Sequence, residues 1–116
     1  MPSMSRKWND MRVLGKDGSA QVIGIEDILY FTNHQSTIYV HTRDGEFILP
    51  TTLSDLLAAY RDKGFDRLDR SNVVNLQNIS SYDQDRRIVR FGCTHESATV
   101  SEANEKKVKR YLAERE

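Results

Sequence analysis

The chain is poor in the features that would make its chemistry obvious. Its 116 residues contain one cysteine, Cys93, so neither a disulfide framework nor a cysteine-rich zinc site can be built, and a reducing compartment fits best. The apolar runs are only a few residues long, far below the ~20 needed to cross a bilayer. Residues 1–5 lack the apolar stretch of a signal peptide, so neither export nor membrane insertion is expected, and a cytoplasmic location is. The six glycines are scattered as turn or helix-stop residues and form no phosphate-cradling loop. There is also no charge of one sign. Seventeen lysines and arginines face seventeen aspartates and glutamates, which argues against a strong nonspecific polyelectrolyte binder. With 38% apolar residues and no net charge, the composition is that of one folded domain and not of a disordered chain.

What is present is a succession of short strands with sharp turns. Residues 11–14 and 20–23 read as strands joined by Gly15-Lys-Asp-Gly18, whose residues tolerate positive φ. Residues 28–31, Ile-Leu-Tyr-Phe, form a continuous apolar run suited to a strand buried on both faces or to a core edge. A polar loop, Asn33-His34-Gln35-Ser36, leads to residues 37–42, the clearest strand because β-branched and aromatic residues fill it. Residues 46–49 pair back across Arg43-Asp-Gly45. Thr51 or Thr52 can then cap a short helix carrying Leu53, Leu56, Leu57 and Tyr60 at helical spacing, which Gly64 stops. Residues 65–76 are locally ambiguous. Residues 78–82 and 87–91 make a second hairpin, and residues 98–100 a last strand. Ser101 can cap a terminal helix in which Val108 and Leu112 stack at i, i+4. This order lacks the strand–helix alternation of a parallel sheet, so the expected class is mainly β, antiparallel, with one inserted helix and a C-terminal one.

No catalytic set assembles. His41 ends a strand and reads as structural. Cys93 and His95 stand two apart without further ligands, and no oxyanion-hole glycines or strand-to-helix elbow supports a nucleophile. No enzyme activity, metal or cofactor is expected. Two polar clusters carry more information. The loop at 33–36 is either a solvated hairpin loop or a contact loop offering donors and acceptors to phosphates and base edges. Arg67, Arg70, Ser71 and Asn72 form a second cluster, suited to phosphate and base recognition or to salt bridges with the adjacent Asp66 and Asp69.

The ordered set of segments resembles a LytTR-type DNA-binding domain, the output module of many bacterial response regulators. The matching pieces are residues 25–31, residues 39–45, the leucines at 53 and 56, Ile79 with its hairpin, and Val100-Ser101. Most specific is Phe65-Asp-Arg-Leu-Asp-Arg-Ser-Asn-Val-Val-Asn-Leu76, which is similar to the family's Phe, Arg, His-Arg-Ser, apolar pair, Asn-Leu signature. The resemblance implies an elongated body of short antiparallel sheets whose loops, and not a recognition helix, enter successive major grooves. It implies contacts from His34, Gln35 and Ser36, from Arg70 and Ser71, and from the loop ending at Ser101, and the polar clusters add Asn33 and Arg67 to the expected DNA contacts. Double-stranded DNA with repeated half-sites, read by two copies, is the implied partner. Residues 1–19 are then a leader or arm, either disordered or a short added hairpin, and residues 20–116 the domain. No receiver domain is read ahead of it, so the chain stands alone or belongs to a longer regulator. Asp69 replaces the signature histidine, Asn72 replaces a bulky residue, and Glu102 and Ala103 stand where a basic residue is common. DNA affinity is accordingly expected to be modest and salt-sensitive, with Asp69 and Glu102 limiting it. The competing reading is a protein-interaction module that kept the fold, with weakened DNA binding, acting on a partner regulator through an edge strand at 46–49.

Overall fold

The computed structural model describes residues 9–115. Trp8 and the cations before it, read above as part of a leader, lie outside the described residues. In chain order the elements are β1 (Asp10–Leu14), β2 (Ala20–Gly24), β3 (Ile28–His34), β4 (Thr37–Thr42), β5 (Gly45–Leu49), α1 (Leu53–Tyr60), β6 (Phe65–Asp69), β7 (Asn72–Asn75), β8 (Ser81–Asp83), β9 (Ile88–Arg90), β10 (Ser97–Thr99) and α2 (Glu105–Arg115). Seven strands form one sheet in the order β2-β1-β5-β4-β3-β7-β6, and three form a second in the order β10-β9-β8. Every pairing is antiparallel. The expected class, mainly β with two helices, is what is found. The body extends in two directions, 39 × 37 Å, and is 28 Å thick. No described helix is long and apolar enough to cross a membrane.

The apolar run at Ile28–Phe31 organises the interior. All four side chains are buried, because β3 is a wall between two cores. On one face Ile28 and Phe31 join Met11, Val13, Val40, Leu53, Leu56, Phe65 and Val73, under α1. On the other, Leu29 and Tyr30 join Leu68, Val74, Val89, Phe91, Val100 and Val108, under the small sheet and α2. Adjacent strand residues normally point to opposite faces, yet Leu29 and Tyr30 share one. The register explains it: Ile28 pairs with Thr42 but Tyr30 with His41, so one extra residue bulges out of β3.

The helices end where their local chemistry ends them. Thr52 accepts the amide of Asp55 at 3.1 Å through its hydroxyl, satisfying one orphan donor at the N-terminus of α1. Gly64, at φ 95°, closes the 3-10 turn that follows. Ser101 does not cap α2 through its side chain; it precedes a 3-10 turn at Glu102–Asn104 that feeds the helix. Val108 is fully buried and Leu112 packs partly beside it. The Tyr82 hydroxyl donates to Glu105 at 2.6 Å, and burial together with that bond pushes it up to about 12.

The strand read at 11–14 and its return at 20–23 form as a hairpin, and one that belongs to the large sheet: β1 pairs with β2 along its whole length and with β5, and buries Met11 and Val13. Exposed and buried residues alternate along β1, as in a strand with one face on the core. One expectation is revised. The strand at 46–49 is not an edge, because β5 lies between β1 and β4. The edges of the large sheet are β2, with Val22 60% exposed, and β6.

Asn72, 1% exposed, ties the two sheets together. Its Oδ1 accepts the amides of Leu68 and Asp69 at 3.3 and 3.0 Å, and its Nδ2 donates to the Thr99 carbonyl at 2.8 Å. A bulky apolar side chain would leave those groups without partners. Asn72→Ala is expected to destabilise the fold by about 2–3 kcal/mol, and Thr99→Val, at an exposed position, by about 1 kcal/mol. Urea denaturation followed by circular dichroism checks both.

Candidate nucleic-acid interface

The residues singled out by sequence are gathered at one end of the large sheet. Asn33 and His34 are not loop residues: they are the last two of β3, paired with Ile38 and Thr37. The turn is only Gln35-Ser36, with φ of 52° and 67°. Positive φ at both central residues is the mark of a type I′ hairpin turn, which normally takes Asn-Gly. Holding Gln and Ser there costs about 1 kcal/mol or more each, and in exchange two polar side chains stand at the tip. All four residues from Asn33 to Ser36 are exposed. The pleat places His34 on the same face as Thr32 and Asn72, toward the small sheet, and Asn33 on the opposite face.

The ambiguous stretch at 65–76 is a second hairpin, β6–β7, whose turn is Arg70-Ser71. Its acidic residues are spent on the protein itself. Asp69 Oδ1 accepts the Arg70 amide at 2.8 Å, and its Oδ2 accepts the Thr99 hydroxyl at 2.6 Å. Asp66 accepts the Arg67 amide at 2.8 Å and pairs with Lys107 at 3.2 Å. The arginine–aspartate salt bridges weighed above do not form. The Arg67 guanidinium instead donates to the Arg70 carbonyl at 2.9 Å, bracing the turn from behind. Among the described residues Arg70 enters no ion pair, and it is exposed with Ser71.

The two turns are neighbours. β3 pairs with β7, and the Asn33 amide donates to the Ser71 carbonyl at 3.1 Å. Their centres are separated by two strand spacings, about 10 Å. The third element lies beside β6: the Ser101 amide donates to the Leu68 carbonyl at 2.8 Å. Ser101 is half-buried and its hydroxyl accepts from Asn104 at 2.9 Å, so it is the least available of the predicted contacts.

Sequence reasoning passed over Arg87. It adopts φ 53°, its carbonyl accepts the Val100 amide at 2.8 Å, and its exposed guanidinium meets Glu102 at 3.5 Å. The adjacent pair Arg86-Arg87 in a turn was the available signal. Glu102, expected to repel phosphate, is thus partly answered within the chain. At the opposite end of the sheet, Glu26, Asp27, Asp44 and Asp62 stand with Arg43, Arg61 and Lys63, so charges there nearly balance.

Comparison with known proteins agrees with this architecture. The model of the LytTr DNA-binding domain matches residues 19–113, a span that begins after β1. The transcriptional regulatory protein YpdB of Escherichia coli strain K12 is 32% identical over 71 residues, covering 61% of this chain and 29% of that protein. The protein of the same name from Shigella flexneri matches equally. The chain thus spans under a third of the length of these curated relatives. The LytTr DNA-binding domain of a protein described as a methyl-accepting/DNA response regulator from Bacillus cereus superposes with a TM-score of 0.77, covering 90% of this chain and 96% of that one at 17% identity, which shows a shared fold. With the family model covering residues 19–113, the chain belongs to the LytTr DNA-binding domain family.

Proposed function

We propose that this domain binds double-stranded DNA sequence-specifically through the row of turns at one end of its large sheet, that it acts in the cytoplasm, and that it regulates transcription, as the name of the YpdB relatives says of them. The observation that carries this reading is the adjacency of two exposed turns, Gln35-Ser36 and Arg70-Ser71, the second braced by Arg67 and carrying in Arg70 a cation without a carboxylate partner among the described residues. Arg70 is the principal base or phosphate contact, positioned through the Arg67 brace. His34, Gln35 and Ser36 supply donors and acceptors at base edges, and Asn33 and Ser71 flank them. Ser101 acts at the margin.

A separation of about 10 Å is well below the ~34 Å repeat of the double helix. The two turns of one copy accordingly address one groove and its flanking phosphates, and contact with the next turn of DNA falls to a second copy. Two copies on half-sites about 10 base pairs apart, as a homodimer on DNA, complete this reading.

Fluorescence anisotropy against a promoter fragment and a random duplex, over a salt series, tests the proposal. Affinity should fall linearly on a log–log plot, with a slope of about −0.9 per phosphate contacted. Arg70→Ala should weaken binding by about 10-fold with the fold unchanged. Absence of binding at low salt by a folded protein would sink this reading and favour an interaction module pairing through the free edge of β2. Ser36→Gly separates stability from contact. It should stabilise the fold by about 1 kcal/mol by relieving the positive φ, while lowering DNA affinity. A more stable variant with unchanged affinity would remove Ser36 from the contact set.

A further inference from the structure

A cluster unconnected with the turns lies between the two sheets. His41, on β4, is only 8% exposed. Its Nδ1 stands 3.1 Å from Glu46 Oε2, on β5, and 3.8 Å from Glu96 Oε1, in the segment leading to β10. One donor atom from each of the three residues lies within 4.8 Å of the others. Nδ1 is buried, yet it has no hydrogen-bond partner: neither carboxylate receives it with acceptable geometry. A protonated imidazole held only by an ion pair would point its N–H at one oxygen. This nitrogen is close to two oxygens and aligned with neither.

The surroundings fix each donor. The other ring nitrogen, Nε2, lies 2.8 Å from the Thr32 hydroxyl, and the ring stacks on Tyr30 at 4.2 Å. Glu96 accepts the Tyr30 hydroxyl at 2.8 Å, and its amide is held by Thr94 at 3.1 Å. Glu46 gives its Oε1 to Lys16 at 3.0 Å, leaving Oε2 facing His41. Outer partners of this kind orient metal ligands. In a tetrahedral zinc site with bonds of about 2.0–2.1 Å, ligand atoms stand about 3.3 Å apart, close to the 3.1 and 3.8 Å found. Two carboxylates and one neutral imidazole suit a divalent first-row cation. The glutamate side chains are 34% and 33% exposed, which gives an ion its entry path.

We propose that His41 Nδ1, Glu46 Oε2 and Glu96 Oε1 bind a zinc-class divalent cation that staples the large sheet to the segment leading to β10, with water in the fourth position. In that state Nε2–H donates to Thr32. The site is about 17 Å from Ser36 along β4, by strand rise, so it is separate from the DNA-facing turns. Sequence spacing hides it, since each ligand comes from a different element.

Isothermal titration with zinc chloride, thermal unfolding with and without Zn²⁺, and ¹⁵N spectra of the histidine rings test the site. One Zn²⁺ should bind per chain, raise the Tm and shift the His41 Nδ1 resonance. Glu96→Gln and Glu46→Gln should each weaken binding by at least about 10-fold. The exposed pair Cys93 and His95, next to Glu96, is the alternative ligand set, so the Cys93→Ser/His95→Ala double variant should bind as the unaltered chain does. Three results would each overturn the proposal: no Zn²⁺ binding, binding undiminished in Glu96→Gln, or a shift confined to His34 or His95.

Discussion

The structure depends on one strand being buried twice. β3 separates a core under α1 from a core under the small sheet and α2, and neither could close without its side chains. Each buried side chain in Ile28–Phe31 is worth about 1.5–3 kcal/mol, and β3 shares the wall between the cores with β7 and β6, which send Val73 and Phe65 to one side and Val74 and Leu68 to the other. That constraint also fixes the binding end. β3 enters between its partners as an apolar core strand and emerges, three residues past Phe31, as the exposed His34. The turns at 35–36 and 70–71 are rigid because the strands that carry them are anchored in the interior on both sides.

Much of this was legible in the residues. The unbroken apolar run at 28–31 announced a strand without a solvent face, and the β-branched series at 37–42 its partner. Thr52 marked the start of α1 through its hydroxyl, and Gly64 the close of the 3-10 turn that follows the helix through its backbone freedom. The stretch at 65–76 was opaque for a physical reason. Its hairpin is held by Asn72 and Asp69 contacting Thr99, about thirty positions away, and local periodicity carries no information about such a partner. The same limit applied to β5, whose burial beside β1 depends on a pairing between residues far apart in the chain.

The candidate contacts were legible as residue types and not as geometry. Asn33-His34-Gln35-Ser36 read as a four-residue polar loop because four polar residues in a row between apolar strands usually are one. The register of β4 narrows the turn to two residues and makes the others strand. The aspartates beside Arg67 and Arg70 looked like ion-pair partners. They are bound to backbone amides, to Thr99 and to Lys107, which leaves Arg70 its charge and makes Asp69 part of the scaffold. Burial does the opposite in the cluster between the sheets. There it holds the His41 imidazole below its ordinary value against the pull of Glu46 and Glu96, and lifts the Tyr30 hydroxyl well above its own.

The bulge at Leu29 lets β3 carry one residue more than its partner without disturbing either end. Ile28 faces Thr42 and Tyr30 faces His41, so the strand resumes beyond the bulge in the register that an unbroken strand would have. Thr32 and His34 therefore keep the face they would hold without Leu29, while Leu29 adds a side chain to the core under the small sheet. The interior of the strand and its tip are decoupled: a change of length absorbed at the bulge alters the core and leaves the chemistry at the hairpin end facing as before.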